Sequence, residues 1–156
     1  MKTTVDLPIE LNGAWAERLI GYALLKCGAD EVQVRMRTRW SEAMEAELEK
    51  RGISSKTHRT DMDAVARFGA DYFLVESKAM GTEVEGNLPE DIALRTEAVS
   101  RLFGRFGVPL VCYLHYDGEP FVINRVNIFG YRTLSNIDAL KALLQKAIGE
   151  RRKTRR

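Results

Sequence analysis

Residues 61–79, DMDAVARFGADYFLVESKA, decide the fold that the sequence predicts. Two runs rich in β-forming residues lie on either side of Gly69-Ala70, and a glycine at the first central position permits a two-residue hairpin turn of type II′. With such a turn Phe68 pairs with Asp71, and all further pairs follow by counting back along the two strands. The segment therefore predicts an antiparallel hairpin with a defined register.

The acidic residues of this hairpin share one face of the predicted sheet with a lysine. The register places Asp63 opposite Glu76 and Asp61 opposite Lys78, because side chains alternate between faces along a strand. Two facing carboxylates repel each other, so the pairing does not stabilise a hairpin by itself. A divalent cation bound between the two carboxylates would replace this repulsion by attraction, since Mg²⁺ binds one or two carboxylates and keeps water ligands for a substrate. The alternative is an exposed Asp61–Lys78 ion pair, with the other two carboxylates in water. The opposite face carries the core residues Met62, Ala64, Ala66, Phe73, Val75 and Ala79.

The rest of the chain alternates between helical and strand-like patterns. The first predicted helix covers 13–27, with Asn12 as its cap and Gly28 at its end, and the second covers 41–51. A third helix starts at Pro89 and carries an apolar stripe to Phe106. The last helix begins at a capping box formed by Ser135 and Asp138. The predicted strands add 31–38, the buried run 108–116 and, after a turn at Asp117-Gly118, 120–126. This order predicts an α/β fold with a mixed central β-sheet flanked by helices. We expect a single domain over residues 1–150 and a basic tail at 151–156.

Composition narrows the classes of protein to consider. The chain has 156 residues, with 24 Lys and Arg against 22 Asp and Glu, and the tail RRKTRR holds five of the basic ones. The remainder is therefore slightly acidic, which excludes a general polycation. Cys27 and Cys112 stand far apart in apolar surroundings, which predicts reduced thiols and no zinc site. The first ten residues lack an apolar signal core and no run reaches transmembrane length, so we expect a cytoplasmic protein without a membrane partner.

A third carboxylate lies on the predicted first helix. Glu17 has Gly13 and Gly21 one turn away on either side, and small residues there would let the helix approach the sheet closely. Glu17 would then reach a metal held by the hairpin. The alternative is that Glu17 forms an ion pair with a nearby Arg or Lys.

The order of these residues resembles the PD-(D/E)xK nuclease superfamily. It runs from Gly13-x-x-x-Glu17 in a helix, through a strand, to Asp63-Ala-Val-Ala, a hairpin and Glu76-Ser77-Lys78. Within that superfamily the chain is most similar to the archaeal-type Holliday junction resolvases, which some viruses also carry, over residues 12–116. The resemblance implies a restriction-endonuclease-like core. It also implies a magnesium-dependent endonuclease, with Mn²⁺ as a plausible substitute, that resolves four-way DNA junctions in recombination and repair by paired symmetric nicks.

The resemblance also implies roles for individual residues. Asp63 and Glu76 would bind the metal, Glu17 would complete the site, and Lys78 would orient or activate the attacking water. We choose Asp63 over Asp61 because Ala-Val-Ala follows it, although Met62 stands where the family often has proline.

Basic residues near the hairpin are candidates for binding the DNA backbone. Phosphate contacts dominate DNA affinity, and each of these residues can equally be a plain solvated charge. They are Arg35, Arg37, Arg39, Lys56, His58 and Arg59, whereas His115 is expected in the core. Symmetric nicking implies a homodimer. Apolar residues that would supply its interface, or simply close the core, are Phe121, Val122, Ile128, Phe129 and Tyr131.

Two alternative functions follow from the same residues. One is another nuclease of this superfamily, acting on duplex ends, flaps or specific DNA. The other is a catalytically idle DNA-binding module on the same fold. In a viral protein the expected location would be the host cytoplasm.

Overall fold

The computed structural model describes residues 13–36, 62–78 and 88–154, together with positions 43, 46, 49, 50 and 52. Its helices are α1 (Gly13–Lys26), α2 (Leu88–Ser100), α3 (Tyr131–Leu134) and α4 (Ile137–Thr154), with a 3-10 helix at Arg101–Phe106. Its strands are β1 (Glu31–Met36), β2 (Met62–Phe68), β3 (Asp71–Lys78), β4 (Gly107–Tyr113), β5 (Phe121–Ile123) and β6 (Val126–Gly130). Within the predicted helix at 41–51, positions 43, 46, 49 and 50 are helical and exposed.

The six strands form one mixed sheet in the order β1-β2-β3-β4-β6-β5. The pairs β1–β2, β2–β3 and β5–β6 are antiparallel, whereas β4 runs parallel to both β3 and β6. The predicted α/β class, with a mixed central sheet flanked by helices, is therefore confirmed.

Helices cover both faces of the sheet. Helices α1 and α4 bury Ile20 and Leu140 on the face that carries Ala64 and Val75. The close approach of α1 depends on Gly21, where a Cβ atom would lie 2.9 Å from Val34 Cγ1. On the opposite face, α2 and the 3-10 helix cover two further apolar clusters, Met62–Val65–Leu74–Val99 and Ile92–Ala93–Val111–Tyr113–Val126–Ile128.

The central hairpin has the predicted register. Phe68 pairs with Asp71 and Ala64 pairs with Val75, and Gly69 has the positive φ of 62° that the turn requires. The assignment of Met62 to the face of Ala64 is wrong. Met62 pairs with Met36 of β1, but Arg35, with φ 53°, has no place in the β1–β2 register next to it, and Met62 packs with Val65 and Leu74 on the opposite face. Ala79 lies outside the described residues.

The predicted strand at 120–126 is wrong, because it is interrupted by a second hairpin. Asn124 and Arg125 both have positive φ, at 49° and 67°, and form the turn between β5 and β6. Strand β6 then pairs with β4, which itself ends at Tyr113 instead of residue 116. Asp117-Gly118 consequently leads into the edge strand β5, not into a direct neighbour of β4.

The ends of the last two long helices also differ from the prediction. Helix α2 ends at Ser100, and Gly104, with φ 63°, interrupts the 3-10 helix that follows, so the apolar stripe to Phe106 is not one continuous helix. The cap of α4 is Asn136, whose Oδ1 accepts a hydrogen bond from the Ala139 amide at 3.2 Å. Ser135, the predicted cap, donates instead to the Arg132 carbonyl oxygen.

A buried ion pair joins α4 to α2. Arg151 is only 4% exposed, and its Nη2 lies 2.9 Å from Glu97 Oε1 and 3.0 Å from Ser100 Oγ. Its Nε donates to the carbonyl oxygen of Gly107, the first residue of β4. Burial lowers the pKa of Arg151, and the nearby Glu97 carboxylate opposes that shift. The first residue of the basic segment 151–156 is thus part of the core.

Candidate functional site

The E-x-K triplet lies at the carboxyl end of β3. Glu76 and Lys78 are in the last three residues of that strand, and Asp63 is the second residue of β2, which runs beside it in the opposite direction. In open α/β sheets, ligands bind outside the carboxyl ends of the parallel strands. The hairpin register therefore brings the three predicted catalytic residues of β2 and β3 to the edge of the sheet where such proteins bind ligands.

Asp63 is held by the residue between Glu76 and Lys78. Its Oδ2 accepts hydrogen bonds from the backbone amide of Ser77 at 2.7 Å and from Ser77 Oγ at 3.0 Å. Asp63 lies one step beyond the last β2–β3 pair, so its carboxylate takes the place of a backbone acceptor for this amide. The contact fixes Asp63 against the triplet, and the two donors stabilise its negative charge.

Glu76 and Lys78 form an ion pair at the end of the sheet. Lys78 Nζ lies 3.5 Å from Glu76 Oε1, and the two side chains are 33% and 9% exposed, respectively. The carboxylate is therefore buried, while the ammonium group lies between it and solvent. Asp61, the alternative partner that the sequence offers for Lys78, lies outside the described residues.

Glu17 forms an ion pair with Arg35. The Arg35 Nε donates to Glu17 Oε2, which agrees with the alternative that the sequence left open for this carboxylate. Arg35 adopts φ 53°, in the left-handed region that non-glycine residues rarely enter. Helix α1 packs on the face of Val75, whereas strand alternation directs Glu76 to the other face. Glu17 thus approaches this end of the sheet from the opposite side.

A three-carboxylate metal site is not formed within the described part of the chain. No group of three His, Cys, Asp or Glu residues there is arranged to hold a metal ion. The hairpin brings Asp63 against Ser77, the residue that follows Glu76, and Glu17 is not grouped with them. Two carboxylates nevertheless form a donor set that Mg²⁺ accepts, because this ion usually retains several waters.

Sequence reasoning missed Tyr113, which is fully buried next to the triplet. The parallel pairing of β3 and β4 places Tyr113 beside Lys78. Burial raises the pKa of Tyr113 to about 12, and the charge of Glu76 adds to this effect. The apolar run 108–116 predicts a buried strand, but it contains no signal for which strand lies next to it.

The other residues singled out in the sequence lie partly within and partly outside the described ranges. Arg35 is about half-exposed and paired as above, whereas Arg37, Arg39, Lys56, His58 and Arg59 lie outside the described residues. His115 is half-buried just after β4, not within a strand. Cys27 and Cys112 are free thiols. Of the apolar residues considered for an interface, Ile128 and Phe129 close the core, while Val122 is exposed on the edge strand β5.

No helix in the described ranges combines the length and the apolar character needed to cross a bilayer. Comparisons with protein-family models, with curated proteins and with solved structures gave no match for this chain.

Proposed function

We propose that this chain is a divalent-cation-dependent endonuclease of the PD-(D/E)xK type, with Asp63, Glu76 and Lys78 as its catalytic residues on a restriction-endonuclease-like core. One observation carries the proposal. The hydrogen bonds from Ser77 to Asp63 join the acid of β2 to the E-x-K triplet of β3, at the carboxyl end of the sheet. A stabilising surface hairpin has no need to gather two carboxylates and a lysine there.

The donor set suits a hard cation. Asp63 and Glu76 supply carboxylate oxygens, the ligands that Mg²⁺ prefers, and Mn²⁺ accepts the same donors. These two residues would hold the cation, which when bound polarises a phosphate and lowers the pKa of a bound water. Glu17 would join them only by leaving Arg35, so its role as a third ligand stays a prediction.

Lys78 is suited to stabilise charge on a scissile phosphate. Its ammonium group supplies positive charge without competing for the cation, and one third of the side chain is open to solvent. The ion pair with Glu76 keeps the ammonium group at the end of β3. Lys78 would therefore position the attacking water and stabilise the charge that develops on the phosphate oxygens.

The proposed substrate is a four-way DNA junction, on the strength of the resemblance. Two symmetric nicks require two sites related by a two-fold axis, so we propose a homodimer. The exposed Arg35 side chain, together with the basic residues at 37–59, would bind the DNA backbone.

The deciding experiment presents a synthetic four-way junction, a linear duplex and a single strand to the protein, with Mg²⁺ and with EDTA. Paired symmetric nicks in the junction alone, and only with Mg²⁺, are the expected result. Cleavage of all three substrates would favour a general nuclease of the superfamily. Binding without metal-dependent cleavage would favour a DNA-binding module and contradict the proposal.

Matched variants assign the site. Asp63→Asn and Glu76→Gln should each abolish cleavage while junction binding persists. Glu119→Gln is the control, because Glu119 is an exposed carboxylate that pairs with Arg132 and belongs to neither strand of the hairpin. Full cleavage by either site variant would overturn the assignment of the catalytic residues.

A further inference from the structure

The hydroxyl group of Tyr113 has no hydrogen-bond partner among the residues that the structure describes. Tyr113 is completely excluded from solvent, so water does not replace the missing partner at the surface. A buried tyrosine hydroxyl usually has a partner, and one without a partner lowers stability. Phenylalanine would fill the same space without this loss of stability. Packing alone therefore does not explain why the residue is a tyrosine.

The hydroxyl lies on the side of the sheet that carries the candidate site. In the parallel β3–β4 pair, Lys78 is beside Tyr113 and Glu76 is beside Val111. Paired residues on neighbouring strands point to the same face, so Glu76, Lys78 and Tyr113 share one side. Glu76 is therefore only one residue pair away from Tyr113 on that side of the sheet, and its charge adds to the rise in the pKa of Tyr113.

The tyrosine ring is fixed, and the carboxylate is the group able to adjust. Apolar residues from α2, β4 and β6 enclose the ring, namely Ile92, Ala93, Val111, Val126 and Ile128. The contact between Glu76 and Lys78 is longer, at 3.5 Å, than the roughly 2.7–2.9 Å of a short charge-assisted hydrogen bond. Glu76 lies in the last three residues of β3, so a rotation of its side chain disturbs less of the fold than a movement of the ring inside this cluster.

We propose that Tyr113 is a positioning residue of the candidate site, whose hydroxyl donates a hydrogen bond to the Glu76 carboxylate when that carboxylate binds a divalent cation. This inference rests on the proposed function. Tyr113 acts through Glu76: one carboxylate oxygen is held by the tyrosine, which leaves the other directed at the cation. The hydroxyl would then find its hydrogen-bond acceptor when the cation is bound. Residues behind the ligands of metal sites commonly orient those ligands by hydrogen bonds of this kind.

The test compares Tyr113→Phe with Tyr116→Phe in the full chain. Tyr116 is the matched control, because its hydroxyl already donates to the Glu119 carbonyl oxygen at 2.8 Å. Mn²⁺ binding is measured by calorimetry without DNA, and thermal unfolding is measured without metal. We expect Tyr113→Phe to raise the Kd for Mn²⁺ roughly tenfold, the usual effect of losing one hydrogen bond to a charged group. Its melting temperature should equal or exceed that of the parent.

Tyr116→Phe should show the reverse pattern, with an unchanged Kd for Mn²⁺ and a lower melting temperature. An unchanged Kd in Tyr113→Phe, in a parent that binds Mn²⁺ and cleaves DNA, overturns the role of Tyr113 and leaves the proposed function standing. A fall in melting temperature as large as that of Tyr116→Phe also overturns it, because the hydroxyl would then have a partner in the fold. A parent that neither binds Mn²⁺ nor cleaves DNA overturns both proposals.

Discussion

Two buried carboxylates at opposite ends of the β3–β4 pair are neutralised in different ways. Glu97, near the amino end of β4, lies 2.9 Å from two guanidinium groups, those of Arg101 and Arg151. Glu76, at the carboxyl end of β3, lies 3.5 Å from the ammonium group of Lys78. Arg151 is enclosed by the core, whereas one third of the Lys78 side chain is open to solvent.

The difference separates a contact enclosed by the core from one that is partly open to solvent. The Glu97–Arg151 pair also hydrogen-bonds Ser100 and Gly107, and it joins the last helix to the sheet. A buried pair of this kind is strongly destabilising when one member is removed, because the other charge is left without compensation. A partly exposed lysine can be rehydrated, so the pair with Glu76 should contribute far less to stability.

The largest effect on stability should come from Arg151→Ala. We expect the free energy of unfolding to fall by about 3 kcal/mol, because Glu97 stays buried and keeps only Arg101. Arg101→Ala is the control and should cost less than about 1 kcal/mol, since that side chain is largely exposed. Urea denaturation measures both values. Equal losses in the two variants would contradict the special role of the buried guanidinium.

Glu76→Gln should separate stability from activity. Cleavage of the junction should fall at least about 100-fold, since one of the two proposed ligands of the cation is lost, while the free energy of unfolding changes by less than about 1 kcal/mol. Single-turnover cleavage and urea denaturation of the same preparation measure the two quantities. If Glu76→Gln instead lost as much stability as Arg151→Ala and still cleaved the junction, both ion pairs would serve the fold. That result would contradict the different roles given to them.

Alkaline pH should reveal the environment of Tyr113. Its pKa is raised from 10.0 to about 12 in the folded protein, so between these values the unfolded chain loses a proton that the folded chain keeps. The unfolded state is thereby favoured, and this group removes roughly 1.4 kcal/mol of stability for each pH unit in that interval. Urea denaturation at pH 9 and pH 11 should show a smaller alkaline loss in Tyr113→Phe than in the parent. Parallel losses would show that Tyr113 titrates normally.

The smallest effect concerns the Glu17–Arg35 pair. If Glu17 is a third ligand, Glu17→Gln weakens Mn²⁺ binding, and Arg35→Gln strengthens it by releasing the carboxylate. The gain should not exceed about fivefold, because a partly exposed ion pair is worth at most about 1 kcal/mol. Calorimetric titration without DNA avoids any effect of Arg35 on DNA binding. Parent-like affinity in both variants would show that Glu17 serves only as the partner of Arg35.

The central hairpin was predictable because the residues that determine its turn and register lie next to each other in the sequence. Gly69 permits the turn, and alternation of apolar and charged residues on both sides leaves one register, so the neighbourhood of Asp63 and the triplet follows from the sequence. The second hairpin lacked such a signal. Asn124 is a residue type that tolerates a left-handed turn position, but Arg125 in that conformation is uncommon, and the surrounding run VINRV otherwise reads as a strand.

The partners of the site residues were harder to predict, since they depend on contacts between distant segments. The hydrogen bonds of Ser77 to Asp63 arise where the β2–β3 ladder stops, a point that propensity alone does not locate. Tyr113 reaches Lys78 through a parallel pairing that is set by the helix and the 3-10 turn between the strands. The ion pair of Glu17 joins it to a residue 18 positions later in the chain, and nothing in the sequence indicates the unusual backbone conformation of that residue, Arg35.

The buried Arg151 has a consequence for the order of events during synthesis. Its partner Glu97 lies 54 residues earlier in the chain, so a ribosome completes the whole sheet before the compensating guanidinium exists. Until then Arg101 is the one cation among the described residues that pairs with Glu97, and an incompletely compensated carboxylate favours contact with water. The nascent sheet therefore cannot close its α2 side fully, and final consolidation of the fold waits for the last turns of α4 to leave the exit tunnel.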